Sequence, residues 1–219
     1  MRKFTYLILA ACVLAVPAVA EQTYTYDWAD GDADYLGTFN DAMNPMVSTI
    51  CNRPTSAGCG LALEKAYNGD GFARGFLAAV WDLQEGDQIT FSCWRYDNVS
   101  SLPYFRLWSH YNNMLVEAAD ARGQDMHIND GDLGGNNDFG TQNGWEQFTW
   151  TWTVEAGNTG MIIDAIVYGE RYATVYVDDI EITVPDHVSV RLPNAIYPAG
   201  GSPTPTEAHT WSAVKAIFE

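Results

Sequence analysis

Between Thr23 and Val184 the chain alternates apolar and polar positions in short runs, and clusters of Gly, Asn and Asp interrupt them. A period of two is the signature of strands with one buried face. It predicts strands at Thr23 to Trp28, Gly60 to Glu64, Gly75 to Val80, Gln88 to Tyr96, Tyr104 to His110, Glu146 to Val154, Thr159 to Tyr168 and Thr174 to Val184. Helical periodicity is nearly absent; a short run from Met114 to Ala121, which Asn113 would cap, is the exception inside this region. Many short strands separated by turn signals argue for an all-β antiparallel sandwich or barrel.

Three strands carry unusual residues. Tyr172 to Thr183 holds two adjacent carboxylates, Asp178 and Asp179, where Asp is disfavoured. A bound cation such as calcium would reward them, and so would a solvated edge that resists strand-to-strand association. Gln88 to Tyr96 separates into Ile89, Phe91 and Cys93 inward, and Thr90, Ser92, Trp94 and Tyr96 outward. The next strand places Tyr104, Arg106, Trp108 and His110 on one face; they read as a sugar-facing set or as rings completing the core. Trp150 and Trp152 share an apolar face with Phe148 and Val154 and read as core. The polar stretch Asn129 to Asp138 does not match the helix-flanked calcium loop and reads as a surface loop.

After Val184 the alternation gives way to Pro185, Pro193, Pro198, Pro203 and Pro205 mixed with Gly. That composition predicts a semi-extended linker, placed at 188–209 after a module at 21–187. Residues 210–219 form a short amphipathic tail with Trp211, Val214, Ile217 and Phe218 on one side, either docked on the module or read by a surface or secretion component. At the other end, basic, apolar and small-residue segments in that order make 1–20 a signal peptide. Leu9-Ala-Ala-Cys12 also mimics a lipoprotein box, which would anchor Cys12 to lipid. Either way the expectation is an exported protein, secreted or at the cell surface, with no later membrane span.

The formal charge is −17, and loss of Arg2 and Lys3 with the leader takes it two units lower, to −19. So acidic a surface repels phosphate backbones, which excludes nucleic acid as a partner and suits neutral ligands or cations. Of the three cysteines after the leader, Cys51 and Cys59 form the natural disulfide, while Cys93 reads as a small buried hydrophobe. No nucleophile elbow, His-Glu-x-x-His or phosphate loop is present, and the four histidines lack metal-ligand spacing.

Several segments in order resemble the CenC-like carbohydrate-binding modules, related to the galactose-binding-domain-like jelly rolls. They are Trp28-Ala-Asp-Gly31, Ser56-Ala-Gly-Cys-Gly-Leu-Ala-Leu63, Leu83 to Trp94, Gly144-Trp-Glu-Gln-Phe-Thr-Trp-Thr-Trp152 and Val175-Tyr-Val-Asp-Asp-Ile-Glu-Ile182. The resemblance spans about Tyr24 to Val184. It implies a two-sheet antiparallel jelly-roll β-sandwich with a structural calcium held by Asp178 and, from the opening segment, Asp30; the family's usual acidic residue is Ala29 here. The expected function is a non-catalytic module that recognises a polysaccharide by stacking on Trp94, Tyr96 and Trp108. Tyr104, Arg106 and His110 complete the expected ligand-binding set. The alternatives are a small jelly-roll polysaccharide lyase or glycoside hydrolase, and a structural or adhesive surface module.

Overall fold

A computed structural model of the chain describes residues 20–29, 32–38, 43–47, 60–65, 73–97, 105–113, 131–135, 144–168, 172–193, 195–200 and 204–205. These form fourteen strands: β1 Glu21–Tyr26, β2 Gly37–Thr38, β3 Met43–Val47, β4 Leu61–Lys65, β5 Ala73–Trp81, β6 Gln88–Asp97 and β7 Phe105–Tyr111. The series continues with β8 Asp132–Gly135, β9 Gly144–Thr153, β10 Gly160–Val167, β11 Thr174–Pro185, β12 Ser189–Leu192, β13 Ala195–Tyr197 and β14 Thr204–Pro205. They pair antiparallel into two sheets, the sandwich among the two architectures the alternation left open and the jelly roll that the resemblance implies. One sheet runs β3-β4-β11-β6-β9 with β1 also on β11; the other runs β14-β13-β12-β5-β10-β7-β8 with β2 also on β5.

The core lies between the sheets, where the odd residues of β6 (Ile89, Phe91, Cys93) meet those of β10 (Met161, Ile163, Ala165, Val167). Each large aliphatic or Phe side chain removed from water there contributes about 1.5–3 kcal/mol. Cys93 is buried and free, so it packs as the small hydrophobe that its position implied.

All eight expected strands form, with ends shifted by a residue or two. The region after Val184 departs from expectation. Ser189–Leu192 is buried throughout and pairs with β5, and Ala195–Tyr197 pairs with it in turn, so these two segments of the expected linker are strands of the second sheet. Pro193 misled because it lies in the turn between β12 and β13, where the ladder does not need its N–H. Likewise Asp132–Gly135, read as loop, is a short edge strand on β7. The leader, the Met114 to Ala121 run, Cys51, Cys59 and the 210–219 tail lie outside the described residues. Among the described residues no helix is long and apolar enough to cross a membrane.

Two bulges set which side chains reach the outer faces. In β11 Ile180, Ile182 and Val184 point into the core, and so do Val175 and Val177; the parity switches at Asp178–Asp179. In β5 Val80 and Ala78 point inward, and past a register shift Phe76 and Arg74 point outward. A one-residue slip exchanges every side chain beyond it between faces.

Candidate functional site

The β11 bulge gives a local reason for the paired carboxylates. Asp179 adopts φ 42°, a region that Asp tolerates better than most residues. Its N–H donates to Asp178 Oδ1 at 2.8 Å. Asp178 is fully buried, and Gly60 packs so tightly beside it that a Cβ there would collide with Asp178 and the Val177 carbonyl. For the calcium implied by the resemblance, the described residues supply Asp178 as the one expected carboxylate, Asp30 lying outside them. Calcium takes about six to eight oxygens, and no group of three or more His, Cys, Asp or Glu among the described residues is arranged to hold a metal. The described residues alone do not make that site.

The expected ligand-binding residues fall on two opposite surfaces. Trp94 and Tyr96 lie on the outer face of the first sheet, part-exposed, on β6. Tyr96 packs against Trp145 and Tyr176, each with ring centroids 5.6 Å away. Arg106 and Trp108 lie on β7, on the outer face of the second sheet, alternating with the core residue Leu107. Tyr104 lies outside the described residues. A single site built from Trp94, Tyr96 and Trp108 is therefore excluded by the thickness of the sandwich, about 10 Å between sheets before side chains are added.

The β7 face holds the denser chemistry. Arg106 lies over the Trp108 ring, 4.3 Å from its centroid, and donates from Nη1 to the Tyr168 hydroxyl at 3.0 Å. Trp108 Nε1 donates to Asp132 Oδ1 at 3.3 Å. Beside Trp108 in register stands Gly135, where a Cβ would collide with the Leu107 carbonyl, so glycine is what lets β8 approach. Gly134 is next to it at φ 78°, and its carbonyl accepts from Trp152 Nε1 at 2.9 Å, tying β8 to the other sheet. The two glycines leave this flank of the indole without a β8 side chain.

Under that surface sits a buried charge cluster. His110 is 1% exposed; its Nδ1 is 2.7 Å from Asp132 Oδ1, and its Nε2 is 3.1 Å from Asp164 Oδ2 and in contact with Arg74 Nη1. Arg74 Nη1 also reaches Asp164 Oδ2 at 3.4 Å. Nδ1 faces the Asp132 carboxylate, to which an Nδ1–H donates, while Nε2 lies between the Arg74 guanidinium and the Asp164 carboxylate, and Arg74 also donates to Asp164. His110 is thus not the ligand-facing donor that alternation suggested. It orients Asp132, whose side chain is 57% exposed.

Asp164, Arg74 and Tyr168 escaped the sequence reading, and Asp132 entered it only as a possible oxygen ligand of the Asn129 to Asp138 surface loop. Asp164 had a legible signal, a lone carboxylate inside the apolar strand Gly160–Val167, the same argument that singled out Asp178. Arg74 had none, because its outward direction depends on the β5 bulge. Trp152 is buried as expected, but Trp150 is 37% exposed: it shares the inward face, yet β9 is the sheet's edge.

No protein-family model matches the chain, and no curated protein matches it. Among solved structures it is similar to the CBM22-1 xylan-binding domain of Paenibacillus barcinonensis Xyn10C, at 8% identity and TM-score 0.49, over 77% of this chain and 97% of that one. It is also similar to CBM27-1 of Caldicellulosiruptor saccharolyticus in complex with mannohexaose, at 13% identity and TM-score 0.43, over 73% and 96% of the two chains. A third likeness is to the enzymatically active domain of Bacteriophage CBA120 tailspike protein 4, at 10% identity and TM-score 0.44; it covers 75% of this chain and 19% of that one. Identities and scores this low leave the function to be read from this chain's own surface.

Proposed function

We propose that the chain is a non-catalytic carbohydrate-binding module of CenC-like type, exported, with its glycan site on the β7 face. The observation that carries this reading is the arrangement of Arg106, Trp108, Tyr168 and Asp132. An indole flank is free of β8 side chains, while a guanidinium, a phenol and a carboxylate around it are already held in place by hydrogen bonds. Sugar recognition needs that mix, an apolar plate for the pyranose C–H face and a few fixed polar groups for hydroxyls. Pre-positioned groups lower the entropy lost on binding. The chain's −17 charge favours a neutral polymer over an anionic one.

Affinity electrophoresis through gels containing soluble xylan, mannan or mixed-linkage β-glucan tests the reading. At least one polymer retards the wild type, Trp108→Ala abolishes the retardation with little change in melting temperature, and no new reducing ends appear. Chain shortening would instead favour the lyase or hydrolase reading. The implied calcium is tested separately, by a fall in melting temperature on chelation; an unchanged value removes it from the proposal.

A further inference from the structure

The opposite surface carries a second pattern that the β7 site does not use. Across β1, β11, β6 and β9 the register aligns Thr23, Thr183, Thr90 and Thr151 in one row. Thr23 and Thr183 share a hydrogen bond between hydroxyls at 2.8 Å, and Thr90 and Thr151 another at 2.9 Å. The next row is Thr25, Glu181, Ser92 and Thr149; seven of these eight positions bear uncharged hydroxyls, of which Ser92 is buried, and one bears a carboxylate. Moving along β6 and β9 in the same direction, hydroxyls give way to Trp94, Tyr96 and Trp145.

We propose that this outer face is a second binding surface, for the neutral hydroxyl-bearing surface of a packed, insoluble polysaccharide. Charge decides the class of partner. In a chain of net charge −17 these rows are nearly neutral, so they neither attract cations nor repel an uncharged polymer. Breadth decides its physical form. Strands about 4.8 Å apart give a row of four hydroxyls roughly 14 Å across, and neighbouring rows lie about 6.7 Å apart. A repeating array of that width meets several chains lying side by side, whereas one soluble chain would use only part of it. The Trp94, Tyr96 and Trp145 end adds part-exposed ring area, which stacks on sugar C–H faces and sets a glycan apart from other hydroxyl-bearing solids such as ice.

The test is a pull-down of the full chain on microcrystalline cellulose, insoluble xylan and insoluble β-1,3-glucan. The variants are Thr151→Glu, Thr149→Lys, Trp94→Ala and Trp108→Ala, each checked for unchanged melting temperature. The expected result is adsorption of the wild type to at least one solid, weakened about tenfold or more by the first three variants. Trp108→Ala, which disables the β7 site, keeps a measurable share of the adsorption that Thr151→Glu, Thr149→Lys or Trp94→Ala then removes, so the outcome is separable from that of the β7 site. Substitutions of opposite charge are paired because a neutral partner loses contact with both. The proposal is overturned if no solid retains the protein, if Thr149→Lys strengthens adsorption, if Trp108→Ala alone abolishes it, or if the wild type partitions into growing ice and onto no glycan.

Discussion

The two outer faces of this sandwich use the same backbone geometry and opposite electrostatics. The β1-β11-β6-β9 face sets its polar groups in water, as rows of hydroxyls paired across strands. The β7 face places Arg74, His110 and Asp164 beneath its surface, each at least nine-tenths buried, and exposes only what they support. Solvated hydroxyls cost little to install and hold little in place. Buried charges are costly to desolvate, and their reward is orientation: His110 aims Asp132, and Asp132 fixes the indole N–H of Trp108. A preorganised site for individual groups is expected where the charges are buried, and a broad, forgiving surface where they are not.

The largest effect that separates the faces is removal of Asp164. Asp164→Ala leaves Arg74 without its buried counter-charge, and breaking such a pair costs about 3–5 kcal/mol. Urea melts of the variant should show a loss of that size. Pairing Asp164→Leu with Arg74→Met should restore part of it, because two apolar side chains need no solvation. A loss below about 1 kcal/mol for Asp164→Ala would mean that the cluster is solvated and the contrast between the faces false.

Next comes a pair in one strand, Trp152 and Trp150. Trp152→Ala removes a 3% exposed ring and its bond to the Gly134 carbonyl, and should cost about 3–5 kcal/mol. Trp150→Ala, from a ring 37% exposed, should cost less, roughly 2 kcal/mol. The Trp152 variant should also weaken glycan retardation, since β8 would lose its tie beside Trp108; the Trp150 variant should not.

The difference between those two tryptophans shows how far the sequence could be read. Alternation found every long strand and the inward set Ile89, Phe91 and Cys93, because burying one face demands a period of two. It assigned Trp150 and Trp152 to the same face correctly, but period carries no information on whether a strand is central or at an edge. It lost the thread at each bulge. Counting by twos from Val80 points Arg74 inward, and the β5 register shift turns it out toward Asp164. Counting back from Ile180 sends Tyr176 inward, and the bulge at Asp178–Asp179 turns it out to pack on Tyr96. Strands β12 and β13 were missed for a different reason: Pro-rich composition was weighed above the apolar alternation of Val188, Val190 and Leu192.

Between the faces lies Cys93, and it gives a smaller, pH-dependent effect. Burial pushes its thiol from 9.0 up to about 12, with Arg95 opposing weakly. The folded state therefore keeps a proton that the unfolded chain releases, so this contribution is complete below pH 9 and is lost as pH rises toward 12. Burial raises Tyr24, Tyr111 and Tyr197 in the same direction, so Cys93→Ala should flatten the alkaline loss of stability without abolishing it. Native protein at pH 8 should leave Cys93 unmodified by a thiol reagent that labels it in urea. Rapid native labelling would mean that the layer joining the two faces opens readily.

The smallest effect belongs to the hydroxyl rows, and its smallness is the point. Thr151→Val keeps the β-branch and strand preference and removes one hydroxyl from the Thr90 pair. Both side chains reach water, so the freed Thr90 hydroxyl finds a solvent partner, and the change should stay within about 0.5 kcal/mol. A double-mutant cycle with Thr90→Val isolates the coupling, expected at a few tenths of a kcal/mol, roughly a tenth of the Arg74–Asp164 value. Near-zero coupling combined with a clear loss of adsorption to insoluble glycan would show the rows serving contact and not stability. A coupling above about 1 kcal/mol would mean that the threonines brace the sheet, and the division of labour between the two faces would fail.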